Sequence, residues 1–443
     1  MSTAGRTARF SPLGTRLPAG AAAQAQRIAG LGALSGMLVA GAVLAAGAAG
    51  QRLYYFVPAE KGGYPDWLRG PLAELGITLT AFQGARLIVA MSLCYVVVLA
   101  CVRALGVRTA LAAVLVLHVA FFLAPPLFSA DVFGYIGYAR LSELHGVNPY
   151  VHGMASAPGD AIRPFVLWYD IPSPYGPLLT AIGYPLAHVS VPLALWIYKA
   201  VFALAGLACA ALTWFVARQW GRDPLAATLF VGLNPLLLVY GVGGAHNDLL
   251  ITAVVLGGIA LAGVDRDRLA GAQLALAAGL KASAGLTLPF LLLGARRRRT
   301  VLLGAAAGGA LVVAVAVALF GSHAFSFVTQ LQGQQDIVAT RSVPNQISLM
   351  LGYPGLTSGV RLAATIFAVT SLAWLLWRTY RGMEWVGAAG WATLAVLAGS
   401  AWLEPWYLIW AMPLAAVSRD RRLRVAVLAF CTFVVWTRVR PYF

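Results

Sequence analysis

Charged side chains are scarce in this sequence, at 11% of 443 residues against 60% hydrophobic, and acids are scarcer still, with fifteen Asp and Glu against 32 Lys and Arg. So little charge excludes an ordinary soluble domain. The long apolar runs point instead to an all-α polytopic membrane protein, because a helix satisfies its own backbone in lipid. A net charge of +17 would suggest a nucleic-acid partner in a soluble chain. Here the excess sits in short clusters between apolar runs, as cytoplasmic membrane loops require, and no nucleic acid is implied. There are only four cysteines, Cys94, Cys101, Cys209 and Cys431, all within apolar runs and none in a CxxC. Neither a disulfide framework nor a metal site follows from them. Internal repeats, low-complexity tracts and linkers are also missing. The chain therefore reads as a basic cytoplasmic tail, residues 1–27 with Arg6, Arg9, Arg16 and Arg27, followed by one transmembrane domain, residues 28–443.

The apolar run from Ile28 to Gly50 is longer than a signal-peptide core and reads as an uncleaved first span. Residues 51–86, with Glu60, Asp66 and Glu74, form an outer loop containing interfacial helix. Spans at about 87–105 and 108–128 follow, joined on the inside by Arg103 and Arg108, so Asp131 emerges on the outer face. Two later segments break simple alternation. Gly176 to Ser190 is too short for a full crossing, and a half-crossing or interfacial helix there keeps Arg218 and Arg222 inside. Leu269 to Gly294 lies between two clusters that should both face the cytoplasm, Asp265-Arg266-Asp267-Arg268 and Arg296 to Arg299. Two half-helices meeting near Lys281 satisfy both. This topology puts ten of the fifteen acids on the outer face, among them Asp131, Asp160, Asp170, Asp248, Asp336 and Glu404, so chemistry is expected there.

The outer loop from about 129 to 176 opens with Asp131 and a stretch of helical spacing, Val132 to Leu144, offering Phe133, Tyr135, Tyr138 and Arg140. A carboxylate at the edge of a span is part desolvated without being stranded, which suits a general base. The rings read either as an interfacial belt or as a platform for the CH faces of a sugar. Asn148-Pro149-Tyr150 closes a turn, and Pro172-Ser173-Pro174-Tyr175-Gly176-Pro177 is a rigid re-entry. Gly243-Gly244-Ala245-His246-Asn247-Asp248 puts three polar side chains at a membrane edge, either as a helix cap or as part of a site. Lys281, flanked by small residues, must snorkel, pair or face a polar cavity; half-helix ends meeting there would suit a phosphate. A loop rich in hydrogen-bonding groups follows, with His323, Gln330, Gln332, Gln334, Gln335, Asp336, Arg341 and Asn345. Glu404 then stands among Trp402, Trp406 and Tyr407.

In their order and content these blocks, together with Asn234-Pro235, Leu280 to Phe290, Ser342 to Asn345 and Pro405-Trp406-Tyr407, resemble the C-type membrane glycosyltransferases. More closely, residues 110–415 resemble the actinobacterial α-1,6-mannopyranosyltransferases that extend the mannan backbone of lipomannan from polyprenyl phosphomannose. The resemblance implies a GT-C-type fold of about 11–13 transmembrane helices, a polyprenyl-phosphate sugar donor, a mannan or glycolipid acceptor and surrounding membrane lipids. It implies an inverting transfer at the outer face of the plasma membrane with Asp131 as base, and Lys281 on the departing phosphate, assisted by His246 or Arg341. Substrate contacts would come from Tyr135, Tyr138, Arg140, Asn148, Tyr150, Tyr175, His246, Asn247, Asp248, Arg341, Asn345, Glu404, Trp406 and Tyr407. The leaving group is already activated, so the chemistry requires no metal or other cofactor. A membrane arabinosyl- or glucosyltransferase of the same architecture, or a lipid-linked sugar flippase, are the alternatives.

Overall fold

The computed structural model describes residues 19–48, 65–326, 333 and 338–442. Among them there are helices and turns and no strand, and the chain is an all-α, multi-pass membrane protein. In chain order the principal helices are α1 (Ala19–Gly47), α2 (Ala81–Ala100), α3 (Val107–Leu123), α4 (Asp131–His145), α5 (Val191–Gln219) and α6 (Pro224–Gly232). They continue with α7 (Asp248–Gly263), α8 (Asp267–Leu280), α9 (Thr287–Gly294), α10 (Arg298–Phe320), α11 (Val343–Met350), α12 (Ser358–Tyr380), α13 (Trp385–Gly399), α14 (Ala411–Val417) and α15 (Arg421–Val439).

Five of the described helices, including α2, α5, α10 and α12, are long and apolar enough to cross a membrane, and a bent pair makes a sixth. The expected 11–13 crossings are approached only when the shorter apolar helices of 10–17 residues are counted too. The first helix begins at Ala19 rather than at Ile28, because the stretch from Ala19 to Gln26 is alanine-rich and helix-favouring although not strongly apolar. Short helices at Asp66–Arg69 and Pro71–Leu75 occupy the expected interfacial segment before α2. Thr80 starts α2 with a capping box, its hydroxyl accepting from Gln83 N at 3.2 Å while Thr80 N donates to Gln83 Oε1 at 2.8 Å.

The stretch around Lys281 folds as the charge pattern requires. Helix α8 ends at Leu280, Lys281 is extended (φ −157°, ψ 128°), and a 3-10 turn, Ala282–Leu286, leads into α9. Close glycine contacts show α8 and α10 running parallel: Gly304 lies against Arg268, Gly308 against Ala272 and Gly279 against Val312. Parallel neighbours must start at the same level, so the chain from Lys281 to Arg298 has to return. The heights agree. Fourteen residues of α8 rise about 21 Å, and five 3-10 residues with eight α-helical ones descend about 22 Å. The short helices Pro177–Ile182 and Tyr184–Ala187 likewise replace a full span. Gly176 docks the re-entry onto the break, its N–H donating to the Leu280 carbonyl at 3.1 Å, which satisfies one of the acceptors left open where α8 ends.

One break was not expected. Helix α6 and a π-helical segment, Leu236–Gly243, meet at a bend of 54°. Pro235 lacks the N–H a continuous helix would use, while Asn234 Oδ1 accepts from Leu236 N at 2.9 Å. Nearby, the buried Tyr95 hydroxyl donates to the Phe230 carbonyl at 2.6 Å, so the interruption leaves few polar groups stranded in apolar surroundings.

The closest helix contact generates a test. A Cβ at Gly304 would collide with the Arg268 carbonyl, whereas one at Gly309 meets nothing within 4 Å. Gly304→Val should force α8 and α10 apart and cost about 3 kcal/mol, lowering the midpoint of thermal unfolding in detergent, while Gly309→Ala stays close to the parent. Equal midpoints for the two would refute the parallel packing of α8 on α10.

Candidate functional site

Three breaks in the helical pattern converge on one cluster. The first is the turn before α4, where Phe128 has a positive φ of 57° and Asp131 occupies the first helical position. The second is the turn between the π-helical segment and α7, where Ala245 has φ 54° and His246, Asn247 and Asp248 are fully buried. Leu127 N joins these two turns by donating to the Gly243 carbonyl at 3.0 Å. Gly243 and Gly244 permit the approach: a Cβ on either would run into Leu127 or the Tyr240 carbonyl. The third break is at Lys281.

The Lys281 amine donates to Asp248 Oδ1 at 2.8 Å and lies 4.9 Å and 5.1 Å from the ring centres of Tyr407 and Trp410. Trp410 Nε1 donates to the same carboxylate oxygen at 2.7 Å. Asp248 Oδ2, both ring nitrogens of His246 and both amide atoms of Asn247 are buried with no hydrogen-bond partner among the described residues. His246 stacks on Trp406 with centroids 3.7 Å apart. Its Nδ1 is 3.7 Å from Asp131 Oδ2 and 3.9 Å from Asp248 Oδ2. These are not ion pairs. Burial, reinforced by the Lys281 charge, holds the imidazole well below its usual range, so the ring is neutral at physiological pH.

Asp131 differs from its neighbours in access: its side chain is 23% exposed, against none for Asp248 and His246. Burial is nonetheless the largest influence on it, raising the carboxyl to about 6; Lys281 opposes the rise, Asp248 and Glu404 add to it, and Ser129 opposes it. Tyr135 and Tyr175 stand edge to face beside it with centroids 4.9 Å apart, and Tyr138 packs on Tyr175 at 6.2 Å. The Tyr138 hydroxyl is taken up by the Ile171 carbonyl at 2.8 Å. A solvent-reachable carboxylate with a raised affinity for protons, set in aromatic walls, can take a proton from a bound hydroxyl.

The structure brings Asp131, Tyr135, Tyr175, His246, Asn247, Asp248, Lys281, Trp406 and Tyr407 together. Glu404 and Arg341 line an adjoining cavity of about 230 Å³. Four expected substrate contacts are placed otherwise. Arg140, nine residues along α4, binds Asp160 at 2.9 Å and the Ala187 carbonyl at 2.9 Å, and Asp160 also holds His145 at 2.7 Å. Asn148 donates to the Phe320 carbonyl at 2.7 Å. Tyr150 bonds Thr180 at 3.0 Å, and Asn345 bonds the Thr340 carbonyl at 2.7 Å. The bonds of Arg140, Asn148 and Tyr150 fasten α4 and the loop after it to the bundle, whereas that of Asn345 is local. Gln330, Gln332, Gln334, Gln335, Asp336 and Glu60 lie outside the described residues.

Three residues that the sequence did not single out matter here. Trp410 reads as one more apolar ring, although it follows Trp406 at helical spacing. Arg438 reads as a helix-end cation, yet it binds Glu404 at 2.7 Å and the Leu403 carbonyl at 3.0 Å. Lys199 is fully buried, with no carboxylate paired to it among the described residues; its amine donates to the carbonyls of Phe121 and Gly243 at 3.3 Å and 3.2 Å, beside the glycine turn. Among the described residues no three His, Cys, Asp or Glu side chains converge in a way that would hold a metal.

This arrangement lies largely within a stretch, residues 29–297, that matches the family model described as alpha-(1->6)-mannopyranosyltransferase, N-terminal domain. Residues 338–441, with Arg341, Glu404, Trp410 and Arg438, match the MptB C-terminal domain. Alpha-(1->6)-mannopyranosyltransferase B of Corynebacterium glutamicum is 26% identical over 362 residues, covering 70% of this chain and 59% of the relative. Alpha-(1->6)-mannopyranosyltransferase A of Mycobacterium tuberculosis is 27% identical over 346 residues, covering 71% of this chain and 66% of the relative. The C. glutamicum protein of the same name is 33% identical over 177 residues, 38% of this chain. The chain thus spans less than two-thirds of the length of the first two curated relatives, at 59% and 66%. No solved structure matches. With one family model covering residues 29–297 of 443, the chain belongs to the alpha-(1->6)-mannopyranosyltransferase family.

Proposed function

We propose that this protein transfers a mannosyl group from a polyprenyl-phosphate donor to a hydroxyl of a mannan or glycolipid acceptor at the outer face of the plasma membrane, with its N-terminus in the cytoplasm. The observation that carries the reading is Asp131: in a member of this family, it is the cluster's accessible carboxylate, and its affinity for protons is raised toward neutrality. The acceptor hydroxyl gives its proton to the Asp131 carboxylate as its oxygen attacks the anomeric carbon. The bond from that carbon to the phosphate oxygen breaks, and polyprenyl phosphate leaves with the electron pair. Attack opposite the leaving group inverts the centre, turning a β-linked donor into an α-1,6-linked product.

The neighbours divide the remaining tasks. Tyr135, Tyr175 and Tyr407 offer ring faces to the sugar. The unpaired polar atoms of His246 and Asn247 can meet sugar hydroxyls, and a neutral imidazole both donates and accepts. Lys281 and Trp410 hold Asp248 by one oxygen and leave the other directed at the cluster.

Two outcomes are expected from purified protein supplied with polyprenyl phosphomannose and a short α-mannoside. Asp131→Asn should lower kcat by about 10²–10⁴-fold, the usual worth of a positioned base. Unchanged transfer by that variant would remove Asp131 from the role, and transfer from an arabinosyl or glucosyl donor alone would change the sugar. In the parent, the base works only once it has lost its proton, so kcat/KM should climb tenfold per pH unit below about 6 and level off above it. A profile flat from pH 4.5 to 7 at about constant rate would contradict a base of this kind.

A further inference from the structure

A series of aromatic rings leads away from Asp131. It passes through Tyr135, Tyr175 and Tyr138, and the Tyr138 hydroxyl donates at 2.8 Å to the carbonyl of Ile171, which follows Trp168 closely in the chain. Along α4 alone, Asp131 to Tyr138 is about 10 Å. Across the site, Trp402 approaches the series from the C-terminal segment. It stands just before Glu404, and its side chain interacts with the Tyr407 hydroxyl. Trp168 and Trp402 meet edge to face, their centroids 6.4 Å apart and their planes at 76°.

The turn that carries Trp168 is fixed by bonds that leave its ring out. Ile171 N donates to the Trp168 carbonyl at 3.3 Å, and Ala155 N to the Tyr169 carbonyl at 2.7 Å. Gly153 allows that approach, since a Cβ there would strike the Tyr169 carbonyl, and the Arg163 guanidinium covers the Tyr169 ring at 3.5 Å. Trp168 is nevertheless 43% exposed. Rings of an interfacial belt are exposed too, but Trp168 packs on a ring of the segment that carries Glu404, Trp406 and Tyr407. Asp170 adds an exposed carboxylate close by in the same turn.

We infer that Trp168 and Trp402 form a subsite for the acceptor, holding a sugar beyond the one that gives its proton to Asp131. This rests on the transfer reaction proposed above and narrows its acceptor to a chain of several linked sugars. Two rings at 76° make a corner: the CH face of a sugar stacks on one and its edge meets the other, while Asp170 accepts from its hydroxyls. Ser400 fixes the Trp402 backbone, its hydroxyl donating to the Trp402 carbonyl at 2.7 Å and accepting from Trp402 N at 3.2 Å. Both turns are thus set before an acceptor arrives, so little ordering opposes its binding. Each family-model segment, residues 29–297 and 338–441, contributes one ring.

Steady-state transfer by the full chain in phosphatidylcholine nanodiscs, with polyprenyl phosphomannose as donor, separates this subsite from the reacting one. The acceptors are methyl α-mannoside and an α-1,6-linked mannotetraoside. The parent should show the lower KM for the longer acceptor. Trp168→Ala should raise that KM about tenfold, with kcat kept and the KM for the monosaccharide unchanged, because the lost contact is equal in ground and transition states. Trp168→Phe keeps a ring and should recover most of the loss, whereas Trp168→Leu, apolar but without a flat face, should not. Trp374→Ala, which removes a ring 51% exposed on α12, should change neither KM. If the parent treats both acceptors alike, or Trp168→Ala changes both KM values equally or neither, the rings serve packing or the membrane surface. The subsite is then overturned and the transferase reading stands. A loss of kcat with both acceptors overturns it in the same way. A parent that transfers mannose to neither acceptor would instead remove the transferase reading, and this inference with it.

Discussion

A buried carboxylate that keeps its charge needs a cation or strong hydrogen-bond donors, and at Asp248 that requirement organises the site. The amine comes from Lys281, where α8 gives way to a returning half-helix, and the second donor comes from Trp410, next to the start of α14. The 2.8 Å pair lies within residues 29–297, and the Trp410 bond to the same carboxylate joins it to residues 338–441, so both family-model segments meet at Asp248. Removing Lys281 would leave the fully buried Asp248 charge with Trp410 as its remaining donor among the described residues, which ties the breaks at Lys281 and Asp248 to one another. Lys199 secures the glycine turn from beside it, holding the Gly243 carbonyl and the Phe121 carbonyl with one buried amine.

Local strain is concentrated at the same place. Phe128 and Ala245 both take a left-handed backbone that side chains disfavour, and they sit on the two turns joined by the bond from Leu127 to Gly243. Each costs of the order of 1 kcal/mol. Their effect is to aim Asp131 and His246 at each other across a gap of 3.7 Å, too long for a hydrogen bond and short enough for a shared substrate group. The loop beyond α4 is tied down in a different way, through Asp160 bridging Arg140 and His145 and through Asn148 on Phe320.

The sequence was legible where physics acts on a whole segment and less so where it acts on one side chain. Charge on both flanks of Leu269 to Gly294 demanded a return, and the turn falls at Lys281. Charge parity says nothing about a bend whose ends stay on opposite sides, so the 54° break after α6 escaped it. Asp131, His246, Asn247, Asp248 and Lys281 could be picked out because polar groups at a membrane edge are costly. By the same reasoning Arg140, Asn148 and Asn345 looked like substrate contacts, yet open backbone carbonyls claim their donors. Trp410 and Arg438 were hidden because a ring in an apolar run and a cation at a helix end each have an ordinary explanation.

The pairing of Lys281 with Asp248 also sets what Asp131 can be. Moving a carboxyl from its ordinary 3.8 to about 6 corresponds to about 3 kcal/mol of preference for the protonated form. Burial supplies the rise and Lys281 opposes it, so an unpaired ammonium at this distance would draw the carboxyl back toward its ordinary value and weaken it as a base. Asp248, bonded to the ammonium at 2.8 Å, opposes that pull. The cost of cancelling it is that Lys281 has little charge left for an anion.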